Sequence, residues 1–231
     1  LTAKALGVEL LIHYGHSCLV PTDQTSGIKI LYIFVDIKID PLHFIDTIKA
    51  NFSTTTKIAL VSTIQFVTTL QAVSVRLKED GYIISIPQFK PLSPGEILGC
   101  TAPVLKCSDV LIYLGDGRFH IEAAMITNPK TQAYRYDPYD KKFTKEHYGH
   151  SEMESIRKSF IAEAENAKTF GVIMGTLGRQ GSPKVVEYLS ERLTKSGKNN
   201  VIILLSEIFP NKLDLFTKLD GFVQIACPRL S

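Results

Sequence analysis

Apolar positions along the chain follow two periods. Short, nearly continuous runs of Ile, Val and Leu predict strands at 8–13, 28–35, 57–64, 82–87, 110–115, 170–175, 201–206 and 221–226. Runs that are apolar at every position, rather than at every second one, suit a parallel sheet covered on both faces. Between them, apolar residues recur at helical spacing. One stripe holds Phe66, Leu70, Val73 and Leu77, a second Met153, Ile156, Phe160, Ala164 and Ala167, and a third Val186, Leu189 and Leu193. Each stripe reads as a face turned to a core. Ser182 as N-cap and Pro183 at the first helical position open the third. Strand alternating with helix predicts an α/β fold with parallel sheets and right-handed crossovers.

Two units with similar element order emerge, without a clear sequence repeat. The polar stretch at 137–150, which includes His147 and His150, reads as the linker between them. The expected domains are 1–27, the C-terminal remnant of a first α/β domain; 28–140, a middle α/β domain; and 141–231, a third and truncated one. The chain opens on Leu1 inside an expected helix and stops at Ser231 just after a strand, so both ends read as cut.

Composition narrows the class. The 231 residues are 45% hydrophobic and 21% charged, ordinary for a globular protein. A formal charge of +3 is too small for the basic stripe of a nucleic-acid binder. No apolar run reaches the ~18 residues of a membrane span, and no secretory leader is visible. Four cysteines (Cys18, Cys100, Cys107 and Cys227) are too few and too scattered for a disulfide framework. They fit a reducing, cytoplasmic compartment.

Ligands of open parallel sheets bind beyond the carboxyl ends of the strands, and four such places carry chemistry. At 14–18, His13 and His16 lie near Cys18, but H-x-x-H spacing along a strand and turn does not force a shared face. At 94–101, Gly99 gives the backbone freedom beside the Cys100 thiol, while Cys107 follows too far on for a typical zinc pair. At 115–120, Gly115, Asp116, Gly117, Arg118 and His120 form a strand–glycine loop–helix turn, where a helix start and Arg118 suit a carboxylate or phosphate. The bland reading is a tight turn with a surface arginine. At 175–181, Gly178, Arg179, Gln180 and Gly181 repeat that type without the ending of a P-loop or the spacing of a dinucleotide fingerprint. Cys227 follows the last strand, with Arg229 two residues on. No C-x₃-C-x₂-C, G-x-S-x-G or H-E-x-x-H motif occurs. Thiolates from separate units around one point would suit an iron–sulfur cluster with an open iron.

Several strings narrow this further: HYGHSCLVP at 13–21, PLSPGEILGCT at 91–101, YLGDGRFH at 113–120, YRYDPY at 134–139, GTLGRQGSP at 175–183 and ACPRLS at 226–231. In order and spacing, the whole chain resembles the first-subunit family of the eukaryotic diphthamide synthesis enzyme. That resemblance implies three similar α/β domains about a pseudo-threefold axis, each giving one cysteine to a [4Fe-4S] cluster. The cluster's fourth iron binds S-adenosylmethionine. Electron transfer then cleaves the bond from sulfur to the aminocarboxypropyl chain, which is attached to a histidine of elongation factor 2.

Carried onto this sequence, the resemblance makes Cys100 and Cys227 cluster ligands and places the third ligand upstream of Leu1. Cys18 and Cys107 match no ligand position. Contacts to S-adenosylmethionine are expected from Gly115, Asp116, Gly117, Arg118, His120, Gly178, Arg179, Gln180, Gly181 and Arg229, with Arg118, Arg179 or Arg229 pairing its carboxylate. No catalytic residue is expected beyond the cluster. The resemblance also implies a second diphthamide-synthesis subunit as heterodimer partner, a small iron-binding electron-donor protein, and neither nucleic acid nor membrane as partner.

Three rivals stand beside it. The non-catalytic electron-transfer subunit of the same complex lacks the middle-domain cysteine that stands here as Cys100. A quinolinate-synthase-like enzyme shares the plan, but not the GDGRFH and GTLGRQG strings. A binding module without redox chemistry would keep its cysteines as core thiols.

Overall fold

The computed structural model describes residues 3, 6–14, 27–90, 92–99, 101–176, 181–227 and 229. They fall into two compact units that meet in sequence at Tyr148 and Gly149.

The first unit is built on a five-stranded sheet in the order β4-β3-β5-β6-β7. Its strands are β3 (Lys57–Ser62), β4 (Ile83–Ser85), β5 (Val110–Leu114), β6 (Gln132–Asp137) and β7 (Lys142–Glu146). All pair in parallel except β7, which runs antiparallel to β6. Ile58, Leu60, Ile112 and Leu114 face one layer of helices, α1 (Pro41–Asn51) and α2 (Val67–Glu79). Ala59, Val61, Leu111 and Tyr113 face α3 (Phe119–Thr127) on the other side. Both faces of β3 and β5 are therefore covered, which is why these strands are apolar at every position.

Local chemistry sets the helix ends. Asp40 caps α1 by accepting from the Leu42 N–H at 3.0 Å, and Pro41 stands at its start. Lys141 and that N–H hold the Asp40 carboxyl below its ordinary range. α2 ends in a Schellman turn: Gly81, at φ 85°, donates to Lys78 O, and Tyr82 donates to Leu77 O.

The second unit holds a three-stranded parallel sheet in the order β10-β8-β9, from β8 (Thr169–Gly175), β9 (Asn199–Leu205) and β10 (Gly221–Ile225). It also contains α4 (His150–Ala164), α5 (Pro183–Lys195) and the short α6 (Pro210–Leu213). Ser182 and Pro183 open α5 as expected, although the serine side chain makes no capping bond. A separate parallel pair, β1 (Leu10–Tyr14) with β2 (Lys29–Ile33), belongs to the first unit by its contacts.

Each of the eight expected strands has its counterpart, but three expectations fail. The stretch 137–150 is not a linker throughout: β7 occupies its middle, and β6, not foreseen as a strand, ends at Asp137. Both strands carry charged residues among few apolar ones, and their stacked Tyr134 and Phe143 rings lie 5.3 Å apart. Of the stripe Met153, Ile156, Phe160, Ala164 and Ala167, only Ala167, beyond the end of α4, is buried, since α4 has no buried residue and Phe160 is 63% exposed. A periodic face is buried only where a partner covers it. The apolar Leu10, Leu11, Ile12 and Leu31 of the β1–β2 pair are likewise exposed.

Candidate functional site

In the first unit, the carboxyl ends of β3 and β5 lie side by side, with Ser62 opposite Leu114. The segment before Cys100 is fastened there: the Ser62 N–H donates to Gly95 O at 2.8 Å and the Ile97 N–H to Ser62 O at 2.9 Å. Glu96 is buried, and its Oε2 accepts from the Ser93 N–H at 3.0 Å. A Cβ on Gly99 would fall 1.8 Å from Cε1 of Phe119, so the phenyl ring at the start of α3 sits directly on the residue before Cys100. Cys100 itself lies outside the described residues.

The glycine loop after β5 joins the same place. The Gly115 N–H donates to Tyr136 O at 3.0 Å, and a Cβ on Gly115 would meet the Tyr113 hydroxyl at 2.4 Å. The Tyr113 ring thus lies beneath the loop, which only a residue without a side chain allows at position 115. Gly117 takes φ 63° to turn the chain into α3. Tyr113 Oη reaches Asp116 O and His120 Nδ1, both at 3.4 Å. Burial pushes the Tyr113 phenol well above its ordinary pKa, with the Asp116 charge adding to it, so the phenol stays protonated.

Arg118 points to neighbouring carboxylates. Its Nη1 pairs with Glu146 Oε2 at 2.8 Å, its Nε with Glu122 Oε1 at 3.5 Å, and its Nη2 donates to His147 O at 2.8 Å. Glu146 is buried and also accepts from Arg135 Nε at 3.3 Å and from Thr144 Oγ1 at 2.7 Å. The predicted ligand arginine is thereby the anchor of the loop to β7, a network that sequence reading did not foresee.

Near these strand ends the Thr63 hydroxyl lies against the Tyr113 phenol, while the hydroxyl oxygens of Ser62 and Thr101 are buried with no hydrogen-bond partner among the described residues. Such an orphan costs about 1–3 kcal/mol. Sequence reading missed Thr63; the signal was a polar residue at the end of an apolar strand.

In the second unit, Gly175 closes β8, and Gly178, Arg179 and Gln180 lie outside the described residues. A Cβ on Gly181 would fall 2.4 Å from Gly175 O, so the end of this loop packs on the strand it follows. Cys227 is buried, two residues beyond Ile225 of β10, whose partner on β8 is Met174. Arg229 follows, half-buried. The predicted Gly181 and Cys227 thus both stand at carboxyl ends of neighbouring strands. Cys107 is exposed, and Cys18 lies outside the described residues. Among the described residues, no three or more His, Cys, Asp or Glu side chains are grouped to hold a metal ion.

The family model "Putative diphthamide synthesis protein" matches residues 1–231. The chain belongs to this diphthamide synthesis family. It is 60% identical over 230 residues to 2-(3-amino-3-carboxypropyl)histidine synthase subunit 1 of Nematostella vectensis, covering 100% of this chain and 49% of that protein. It is 56% identical over 232 residues to the subunit 1 of Homo sapiens, covering 100% of this chain and 53% of that protein. The chain thus spans about half the length of the curated relatives it matches. Among solved structures, Dph2 from Pyrococcus horikoshii with a 4Fe-4S cluster superposes with a TM-score of 0.75 at 26% identity, covering 99% of this chain and 67% of that one. The diphthamide family fold is therefore α/β with parallel sheets in repeated units. The donor chemistry fits a cluster as far as it is described: the Cys227 sulfur is a soft ligand of the kind iron–sulfur clusters take, and it stands at a strand end.

Proposed function

We propose that this chain is the part of a 2-(3-amino-3-carboxypropyl)histidine synthase subunit 1 that carries two cysteine ligands of a [4Fe-4S] cluster, Cys100 and Cys227. The reaction is transfer of the 3-amino-3-carboxypropyl group from S-adenosylmethionine to a histidine of elongation factor 2, the first step of diphthamide synthesis. The observation that carries this reading is 60% identity along the entire chain to a protein of that name. When bound, the cluster, held by Cys100 and Cys227, would supply the electron that cleaves S-adenosylmethionine and an open iron for binding it. The chain's own residues hold and orient. Phe119 fixes the segment leading to Cys100, Arg118 ties the 115–118 loop to Glu146, and Gly181 seats the second glycine loop on β8. Such positioning would set the orientation in which S-adenosylmethionine is held for cleavage. The Gly115–His120 and Gly178–Gly181 segments, with Arg229, are the contacts for S-adenosylmethionine. A second subunit and a small iron-binding electron donor complete the system, in the cytoplasm. Among the described residues no helix is long and apolar enough to cross a membrane.

The test is anaerobic reconstitution of the full-length protein with its partner subunit, then reduction with dithionite in the presence of S-adenosylmethionine and elongation factor 2. The expected result is a mass gain on the factor of one aminocarboxypropyl group, lost in Cys100→Ala and in Cys227→Ala. A reconstituted cluster with no mass gain would overturn the transferase reading.

A further inference from the structure

The loop after β5 has little stiffness of its own. Gly115 and Gly117 flank Asp116, and glycine loses more backbone freedom on ordering than any other residue. The loop is nevertheless tied at both ends. At its start the Gly115 N–H donates to Tyr136 O at 3.0 Å. At its end stands Arg118, the N-cap residue of α3, with a protein oxygen at each guanidinium nitrogen. Nη1 meets Glu146 Oε2 at 2.8 Å, Nε meets Glu122 Oε1 at 3.5 Å, and Nη2 donates to His147 O at 2.8 Å. The next residue, Phe119, packs its ring on Gly99, so the same tie fixes the segment that leads to Cys100.

The receiving end of that tie is built into the sheet. Arg135 of β6 lies opposite Thr144 of β7, and strand alternation puts Arg135, Asp137, Thr144 and Glu146 on the face of Ala133, the face that α3 covers. The Glu146 side chain is only 6% exposed. Its Oε1 accepts from Thr144 Oγ1 at 2.7 Å and from Arg135 Nε at 3.3 Å, which leaves Oε2 to Arg118. Arg135 is held in turn by Asp137 at 3.2 Å. A buried carboxylate keeps its cationic partners, because breaking such a pair strands an uncompensated charge. The sign of the network points the same way. Two guanidinium groups, on Arg118 and Arg135, face three carboxylates, on Glu122, Asp137 and Glu146. An incoming carboxylate would meet that surplus unfavourably. Arg118 is therefore placed as a strut rather than as a ligand.

We propose that Arg118 and Glu146 are a positioning pair: the ion pair between them holds the 115–118 loop in the shape that binds S-adenosylmethionine, and the Arg118 guanidinium does not itself pair with the carboxylate of that molecule. The inference rests on the S-adenosylmethionine-dependent reading above and deepens it. It takes Arg118 out of the set of arginines that read the carboxylate and brings the buried Glu146 into the support of the site.

The test is calorimetric binding to the full-length protein with its partner subunit, reconstituted anaerobically to equal cluster content in every variant. The probes are S-adenosylhomocysteine, which keeps the amino acid without the reactive sulfonium, and its decarboxylated counterpart, which keeps the amine alone. Arg118→Ala and Glu146→Gln are each expected to weaken both probes about tenfold, the scale on which supports behind a binding group act. The ratio between the two probes should stay at its wild-type value. The double variant should bind no more weakly than the weaker single one, because residues that act through one contact are not additive. The Arg118 side chain is half-exposed, so its variant reports even where a change at the buried Glu146 disturbs folding. A ratio that collapses in Arg118→Ala would put the guanidinium on the carboxylate itself and overturn the inference. Losses that simply add in the double variant would overturn it too, as would wild-type affinities accompanied only by a lower melting temperature. Each of these leaves the transferase reading standing. A wild type that binds neither probe would remove both.

Discussion

The two units solve the same local problems with the same devices and then differ in what they cover. In the first, Asp109 precedes β5 and its Oδ2 accepts from the Lys57 N–H at 3.0 Å, tying the start of β5 to the start of β3. In the second, Asp220 precedes β10 and its Oδ2 accepts from the Lys168 and Thr169 N–H groups at 2.9 and 2.8 Å, tying β10 to β8. The sequence separation from Asp to Lys is 52 residues in both. The helix before the next strand closes alike as well. Gly197, at φ 72°, donates to Thr194 O and Lys198 to Leu193 O, repeating the turn at Gly81 and Tyr82. Yet β3 and β5 are buried on both faces, whereas Val201, Ile202 and Leu204 of β9 and Ile156, Phe160 and Ile161 of α4 are exposed. The corners that set a strand's register are written locally. Burial is a property of what lies opposite.

The contrast can be broken most sharply in the cores. Leu60→Ala, at a fully buried position of β3, should cost about 2–5 kcal/mol, whereas Phe160→Ala on α4 should stay within about 0.5 kcal/mol. Hydrogen exchange of the β3 and α4 amides would resolve the two, and similar effects at both sites would show that α4 is covered in solution. A smaller and equal effect is expected at the shared turns. Gly81→Ala and Gly197→Ala meet no atom within 4 Å, so each should lose only about 1–2 kcal/mol for its left-handed backbone, read by thermal denaturation. Unequal losses would mean that the turns are not equivalent.

The last contrast is with pH. Two backbone N–H groups, on Thr169 and Lys168, hold the Asp220 carboxyl below its ordinary value of 3.8. A depressed pKa gives stability that is complete above the unfolded value and lost as pH falls through the folded one. Unfolding curves over about three pH units below pH 5, the range of ordinary carboxyl values, should therefore show an acid-sensitive step in the second unit. Asp220→Asn should flatten that step.

How much of this could be read from the sequence depends on the range of the interaction. The strands with unbroken apolar runs were legible because burial on both faces leaves a signature at every position, as in β3 and β5. The strands β6 and β7 were not, because the charged Arg135, Lys142 and Lys145 break up their apolar runs, as charges do in a linker. The glycine loops were visible as strings, and Gly115 and Gly181 do stand at strand ends where a side chain would collide. The engagement of Arg118 by Glu146 was not visible, because it joins the start of α3 to the end of β7 through a sheet order that spacing does not encode. Thr63 was hidden for a similar reason. An N-cap threonine announces a helix start, and only the packing of Tyr113 shows that this hydroxyl faces the phenol and caps nothing.

The reversed strand β7 has a consequence for the protein in concentrated solution. A parallel sheet that ended at β6 would offer the bare backbone of an outer strand to any passing chain. Here the hairpin of β6 and β7 folds a charged strand over that margin, with Lys142 and Lys145 exposed along it. Repulsion between like-charged margins, together with the desolvation such lysines would suffer on stacking, keeps two copies from zipping into a shared ribbon. The polar segment between the glycine loop and α4 thereby acts as a guard against self-assembly at that side of the sheet.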